Sequence, residues 1–332
     1  MRHSLLKPEL LKQRDEEEAG EGSLHLQYEK VMTIIASWSQ PTLDISDRTV
    51  SETIDSLATK ALQHLHQLHP KHPIFNHTGK EGPEHFPHQL PNYTNLRKTL
   101  WTPSESKQVL SSTNHILYEV EGFSGNKEDY YNPHNSWINM VFETKQGIPI
   151  TLSILYTCLV ARLGVVVHPI NFPGHFMLKW LEHPSEQEER SKYTYIDAFA
   201  GGKMLTEFQA RDLVPHLVFH DETYNVAAPA EVGQRMLRNL ISIGASRNNS
   251  FLRDNCYGLL RSSLELMIEW YGTGGEFGFM EYGFMLSRVY LQLNINHEDV
   301  MNMLQDYRDL PGIGDQVDYL MNACQVTQLF IQ

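Results

Sequence analysis

The sequence predicts an α+β protein, on three observations. Apolar residues recur at helical spacing through the first 120 residues, β-branched and aromatic runs crowd between 165 and 199, and helical spacing returns from about 206 to the end. With 332 residues, 41% of them hydrophobic and 20% charged, the chain can bury a sizeable core and form two or three domains.

Residues 1–22 are polar and close on Asp15-Glu16-Glu17-Glu18-Ala19-Gly20-Glu21-Gly22, which predicts a disordered acidic tail. An amphipathic helix from Ser23 would bury Leu24, Tyr28, Val31, Met32, Ile35 and Trp38, and Gln40-Pro41 stops it. A second, opened by the capping-box pattern Thr49-x-x-Glu52, aligns Val50, Ile54, Leu57, Ala61, Leu65 and Leu68. Residues 69–101, rich in His, Pro, Asn and Gly, predict a long loop. Thr102-Pro103-Ser104-Glu105 then supplies an N-cap, a first-turn proline and an acidic third residue. The helix it opens would bury Val109, Leu110, Ile116, Leu117 and Val120 and end at Gly122. These elements make an N-terminal helical region over 23–125.

Residues 126–225 predict the mixed core. Tyr130–Asn135 is a turn, followed by a short helix from about Ser136 to Gln146 with Gly147 as the left-handed residue past its end. Asn135 reads as that helix's N-cap or, beside Asn139, as a pocket residue. An apolar helix spans Ile150–Leu163 and closes at Gly164. Val165–Phe172, His175–Leu181 and Tyr193–Phe199 read as strands, the last two joined by a solvated acidic hairpin, Glu182–Ser191. Helices are expected over 206–215, 231–246, 250–271, 277–293, 297–309 and 315–330. Residues 226–332 thus predict an all-helical C-terminal domain, without a signature recurring at fixed period.

Composition narrows the function classes. Cys158, Cys256 and Cys324 lie far apart, which disfavours a disulfide framework and favours a reducing compartment. The opening MRHSLLKPELLKQRDEEE has no apolar signal-peptide region. The longest apolar stretch, Ile148–Phe172, is broken by Arg162, Gly164 and His168, so no membrane span is expected. A formal charge of −13, from 40 acidic against 27 basic residues with no dense Lys/Arg cluster, makes nucleic acid a poor partner. Seven histidines, at 64, 66, 69, 72, 77, 85 and 88, have no accompanying cysteine and predict no metal site. No cofactor is expected.

The segment Asn135-Ser-Trp-Ile-Asn-Met-Val-Phe-Glu-Thr-Lys-Gln-Gly-Ile-Pro-Ile-Thr-Leu-Ser, then Ala161-Arg-Leu-Gly, then Asn171-Phe-Pro-Gly-His-Phe, resembles the SirB-type transglutaminase-like family. The same order of elements resembles the central part of F-box only protein 21-like proteins, from about residue 24 to 270. The resemblance implies a transglutaminase-like, cysteine-protease-type core. It also implies a partner class, a protein substrate for ubiquitination, and an intracellular location in the cytoplasm with the nucleus as a second compartment. The F-box that would dock an SCF adaptor is not found in residues 1–60, nor is the small β-rich C-terminal domain of that group. The chain is therefore expected to be a fragment, a short isoform or a shortened relative, with adaptor binding only where an F-box is present.

Such a core, by that resemblance, carries a cysteine at the start of a buried helix, a histidine on the next strand and an aspartate on the one after. The helix end lowers the thiol pKa, the histidine is the base and the aspartate orients it. His175 and Asp197 suit the last two roles. The first is empty: Gly147-Ile148-Pro149-Ile150-Thr151 holds no cysteine. Cys158 lies seven residues beyond Thr151, about 10 Å along a helix. A nucleophile must reach its base at about 3 Å, so Cys158 reads as a buried small hydrophobe.

Thr151 or Ser153 could offer a hydroxyl, though Thr151 reads first as a helix-start residue bonding a backbone amide. The chain is therefore expected to be a pseudoenzyme, with His175 and Asp197 vestigial. Asn135, Gly147, Pro149, Phe172, Gly174 and Phe176 are the candidate binding residues. Three readings compete: a protein-binding part of an SCF-type ubiquitin ligase, an atypical hydrolase or acyltransferase using His175, Asp197 and a hydroxyl, and a SirB-type scaffold unrelated to ubiquitination.

Overall fold

A computed structural model describes residues 24–77, 96, 98–172, 174–183, 192–215, 221–246, 256–271, 277–308 and 314–329. They fall into two compact units that divide after Met236. The acidic tail and much of the His/Pro-rich loop lie outside the described residues.

Helices α1 (Leu24–Ser39), α2 (Asp47–Leu68) and α3 (Pro103–Asn114) precede the mixed core. The periodicity of α1 suggests one buried face, yet it buries His25, Gln27 and Glu29 as well as Tyr28 and Val31. Contacts with α2 and with the two helices described next surround it. The capping box of α2 is Ser46 with Thr49, not Thr49 with Glu52, so the helix starts earlier. Leu68 at its end is exposed. The Thr102–Glu105 box forms as expected, with Thr102 N donating to Glu105 Oε2 at 2.9 Å. Beyond Asn114 the helix widens into a π-helical turn, His115–Val120, which leaves Val120 exposed, and Gly122 follows at φ +76°.

Strand β1 (Ser124–Gly125) pairs in parallel with β2 (Gln146–Gly147) around α4 (Ile138–Thr144). Lys145, at φ 60°, is the left-handed residue after α4. Gly147 instead lies in β2 against Leu152, whose Cγ would be 2.9 Å from an added Cβ. Helix α5 (Pro149–Arg162) is buried along its whole length, and Gly164 at φ +79° turns the chain out of it.

A four-stranded antiparallel sheet follows: β3 (His168–Ile170), β4 (Met177–His183), β5 (Lys192–Asp197) and β6 (Lys203–Leu205), in that spatial order. Strand alternation gives it two apolar faces. Leu178, Trp180 and Ile196 are buried on the α5 side. Ile170, Met177, Tyr195 and Leu205 cluster on the other with Phe172 and with Ala210 of α6 (Glu207–Arg211).

Helix α7 (Pro229–Ala245) holds the division between the units. The second unit continues through α8 (Cys256–Tyr271), α9 (Phe277–Leu293), α10 (His297–Tyr307) and α11 (Gly314–Leu329), each packed on its predecessor from α9 onward. Among the described residues no helix is long and apolar enough to cross a membrane.

Two buried charge clusters hold the first unit. Arg162, wholly buried at the end of α5, ion-pairs with Glu29 of α1 at 2.9 Å and with Asp55 of α2, and donates to Ser51 Oγ at 2.9 Å. The sequence pattern places Glu182 in a solvated hairpin, but it sits at a β-bulge in β4 and is 4% exposed. It pairs with Lys107 of α3 and accepts from Thr194 Oγ1 at 2.7 Å. Burial would raise its pKa, but the bonds from Lys107 and Thr194 and the nearby Lys192 outweigh burial and hold it at about 2.

Removing one member of a buried ion cluster costs about 3–5 kcal/mol. Arg162→Met, which strands Glu29 and Asp55, should lose that much in urea denaturation, and adding Glu29→Gln should recover part of it. Because the folded pKa of Glu182 is depressed, its stabilisation is present above the ordinary value near 4.5 and lost as pH falls towards 2. The stability gap between wild type and Glu182→Gln should therefore be largest at neutral pH and close towards pH 2.

Candidate functional site

The expected histidine sits two residues ahead of its strand. Gly174 takes φ +71°, a backbone state easy for glycine, and turns His175 towards the end of β5. The β4–β5 register pairs Leu178 with Ile196, so the residues before β4 lie beside Asp197. His175 Nε2 comes within 3.0 Å of Asp197 Oδ1. The approach does not meet hydrogen-bond geometry, so the contact is one of proximity. The same oxygen accepts the amides of Phe199 at 3.0 Å and Ala200 at 3.1 Å, capping the 3-10 turn Ala198–Ala200. Asp197 is therefore a structural cap as well as the partner of His175.

The turn is fastened from behind. Gly202 N donates to Asp197 O at 2.9 Å, Asn114 Nδ2 to Gly202 O at 3.0 Å, and Tyr156 Oη to Asn114 Oδ1 at 2.8 Å. Gly202 is required twice over, by φ +71° and because an added Cβ would lie 2.2 Å from Asn114 Oδ1. Burial raises the Tyr156 phenol pKa, and burial with Tyr156 and Asp197 nearby raises that of Tyr118.

Aromatic rings wall the histidine. Phe199 lies edge-on to it at 6.1 Å and to Tyr130 at 6.3 Å. The Phe199 ring rests on bare backbone at Gly125, where an added Cβ would be 2.5 Å away. On the far side of His175 along the chain, Arg235 stands over the Phe176 ring at 5.3 Å and donates to Phe172 O at 3.0 Å.

The hydroxyl candidates are sealed in. Thr151 and Ser153 are 0% exposed, and neither side-chain oxygen has a hydrogen-bond partner. The expected bond from Thr151 to a helix-start amide is absent, since α5 opens at Ile148 without a side-chain cap. Cys158 is 0% exposed and donates to His25 O at 3.2 Å. Burial, with Glu29 adding to it, raises its thiol pKa well above the ordinary value.

Among the remaining candidates, Asn135 does not cap a helix. It lies within the 3-10 turn Pro133–Ser136, donates to Asp129 O at 2.7 Å and Tyr130 O at 3.1 Å, and accepts from Asn126. Its carbonyl accepts Ile148 N at 3.3 Å, which ties it to the β2 segment holding Gly147. Pro149 is the first-turn proline of α5. Phe172 is wholly inside the outer sheet cluster and Phe176 is 2% exposed. The structure thus brings Gly174, His175, Phe176 and Asp197 together, while Asn135, Gly147 and Pro149 brace the start of α5. Helical spacing reads Tyr156 as a packing aromatic, and it is buried, but its bond to Asn114 and the roles of Asn114, Phe199 and Gly125 escape that reading. Only the Gly201-Gly202 pair hinted at a demanding turn. Among the described residues no three His, Cys, Asp or Glu side chains converge as metal ligands; His85 and His88 lie outside them.

A transglutaminase-like superfamily model matches residues 49–238. F-box only protein 21 of Pongo abelii is 32% identical over 289 residues, 86% of this chain and 42% of that protein. The Homo sapiens protein of the same name is 31% identical over 296 residues, covering 86% and 43%. A UPF0162 protein of Xylella fastidiosa (strain 9a5c) is 34% identical over 147 residues, covering 42% and 50%. The chain spans less than half the length of these F-box only relatives. No solved structure matches.

Asp197→Ala removes the acceptor for two amides and should lower stability by about 1–2 kcal/mol in thermal unfolding. Asp197→Asn keeps an acceptor oxygen and should lose much less. Equal losses would show that charge, not capping, is what Asp197 contributes to the fold.

Proposed function

The chain belongs to the transglutaminase-like superfamily, and from that membership we propose that it is a protein-binding module whose core does no chemistry. It would serve a substrate-recognition component of an SCF-type ubiquitin ligase, with the edge around His175 as part of the recognition surface. The observation that supports the non-catalytic half is the burial of the three candidate nucleophiles, Thr151, Ser153 and Cys158, away from the His175–Asp197 pair. A base contributes only by taking a proton from a group in its reach.

The partner half rests on the F-box only protein 21 relatives, which match 86% of this chain. In such an assembly an F-box docks the adaptor, so adaptor binding would depend on whether the full-length protein carries one. The folded surface described above would hold the protein to be ubiquitinated. Gly174 is exposed, and the His175 side chain is 20% exposed, so this edge is open to contact.

The test joins catalysis with binding. Transamidation and thiol-protease assays of the full chain should give background rates, unchanged in His175→Ala. Proximity labelling in cells should enrich proteins whose ubiquitination falls when the chain is depleted, and Phe199→Ala should lose them while its circular dichroism stays native. A turnover rate abolished by His175→Ala with stability intact would overturn the non-catalytic reading. Enriched proteins whose ubiquitination does not change on depletion would overturn the ligase reading.

A further inference from the structure

Away from His175, the first unit holds a π-helical turn, His115–Val120, where Glu121 N donates to Ile116 O at 2.8 Å. Such turns are rare and occur mostly as single-turn bulges inside α-helices. Here α2 packs against the turn. His64 and His115 stack face to face, with ring centroids 4.1 Å apart and planes 19° from parallel. His64 Nδ1 is buried without a hydrogen-bond partner. His115 Nδ1 is 2.8 Å from Glu119 Oε2, one turn further along.

We propose that the His64–His115 stack is a proton-sensitive clasp that holds the π turn, and the strap from Glu121 to Gly125, onto α2 when both imidazoles are neutral. Parallel rings at this distance attract as neutral groups, whereas a second positive charge at 4.1 Å repels. The buried Nδ1 adds to the asymmetry, since a proton placed there would have no acceptor.

The other charged groups around the pair do not supply one. On α2, Lys60 faces Glu121 at 2.5 Å, and Lys145 approaches Glu121 from the end of α4 at 3.6 Å. His69, at the C-cap of α2, adds positive charge when protonated, and Glu119 is the opposing anion. His66 meets Phe75, and His72 meets Trp101. Arg162 with Asp55 and Glu29 closes the side of α2 that faces α5. Burial first, then His115 and His69, lower the His64 pKa against the opposing pull of Glu119.

The sign follows. A histidine whose folded pKa is depressed leaves the clasp at full strength above the ordinary value near 6.5 and weakens it as pH falls below. The strap is placed to matter, because Gly125 at its end carries the Phe199 ring that walls His175.

Amide hydrogen exchange on the full chain, corrected for the intrinsic pH dependence of exchange, tests the clasp. Protection over residues 116–125 should fall by about tenfold between pH 7.5 and 5.5, the factor for one group that titrates near 6.5 only when released. Amides of α5 should keep their protection. In His64→Phe the ring stack remains but the titration is gone, and protection should be flat over that range. If that variant fails to fold, His64→Gln removes the same titration and should also be flat. Unchanged protection in the wild type, or an equal fall in the variants, would overturn the proposal.

Discussion

Arg162 is the constraint on which the first unit depends. A guanidinium cannot shed its proton in a protein, so a wholly buried arginine must be met by acceptors. Glu29, Asp55, Ser51 and the carbonyl of Cys158 meet it, from α1, α2 and α5 itself. Each lies on an element that must be in register before the charge is satisfied. The fold around α5 is therefore all-or-none in a way that apolar packing alone would not impose, since apolar contacts have no direction. The same charge has a local effect: burial, then Arg162, push the neighbouring His25 down to about 3, which keeps it neutral beside the cluster. It also explains why α1 is enclosed on nearly all sides despite its polar residues.

The surroundings of His175 depend on that enclosure. With α5 buried from Pro149 to Arg162, its hydroxyls and its thiol lie inside the core. What reaches the surface is the histidine, its glycine hinge and the ring of Phe199. Asp197, which the resemblance would make the partner of a catalytic imidazole, gives its hydrogen-bonding capacity chiefly to two backbone amides of the turn that follows. A pair of this kind is held in place by the capped turn as much as by its own contact.

Some ion pairs cross between elements and others lie within one helix. Lys107 reaches from α3 to Glu182 in the sheet, and Lys60 from α2 to Glu121 after the π turn. These bridges differ in exposure, and burial is what separates them in effect. Glu182 is 4% exposed and its carboxylate is held strongly ionised, whereas bridges open to water, such as Arg48 with Glu52 on α2, contribute little to stability.

Periodicity and capping chemistry were enough to place the helices, because both act within a few residues. Thr102 with Glu105, Gly164 after α5 and strand character over 165–172, 175–181 and 193–199 were legible from local pattern, and the structure sets those strands at 168–170, 177–183 and 192–197. Errors arose where two local solutions competed. Ser46 lay three residues before Thr49 and captured the cap, and Lys145 rather than Gly147 adopted the left-handed turn because Gly147 was needed against Leu152. His175 and Asp197 were legible as candidates through the motifs around them. Asn114, Tyr156, Gly125 and Phe199 were not, since a side chain bonded across 42 residues, or a ring resting on a distant glycine, leaves no periodic mark. The sequence by itself determined most of the elements, the absence of a cysteine in residues 147–151, and the presence of a histidine just ahead of one strand and an aspartate at the end of the next. Tertiary structure decided which polar groups were enclosed, because burial and pairing are set by residues far apart in the chain. That made Arg162 a keystone, Glu182 a buried anion, and Thr151 an interior hydroxyl.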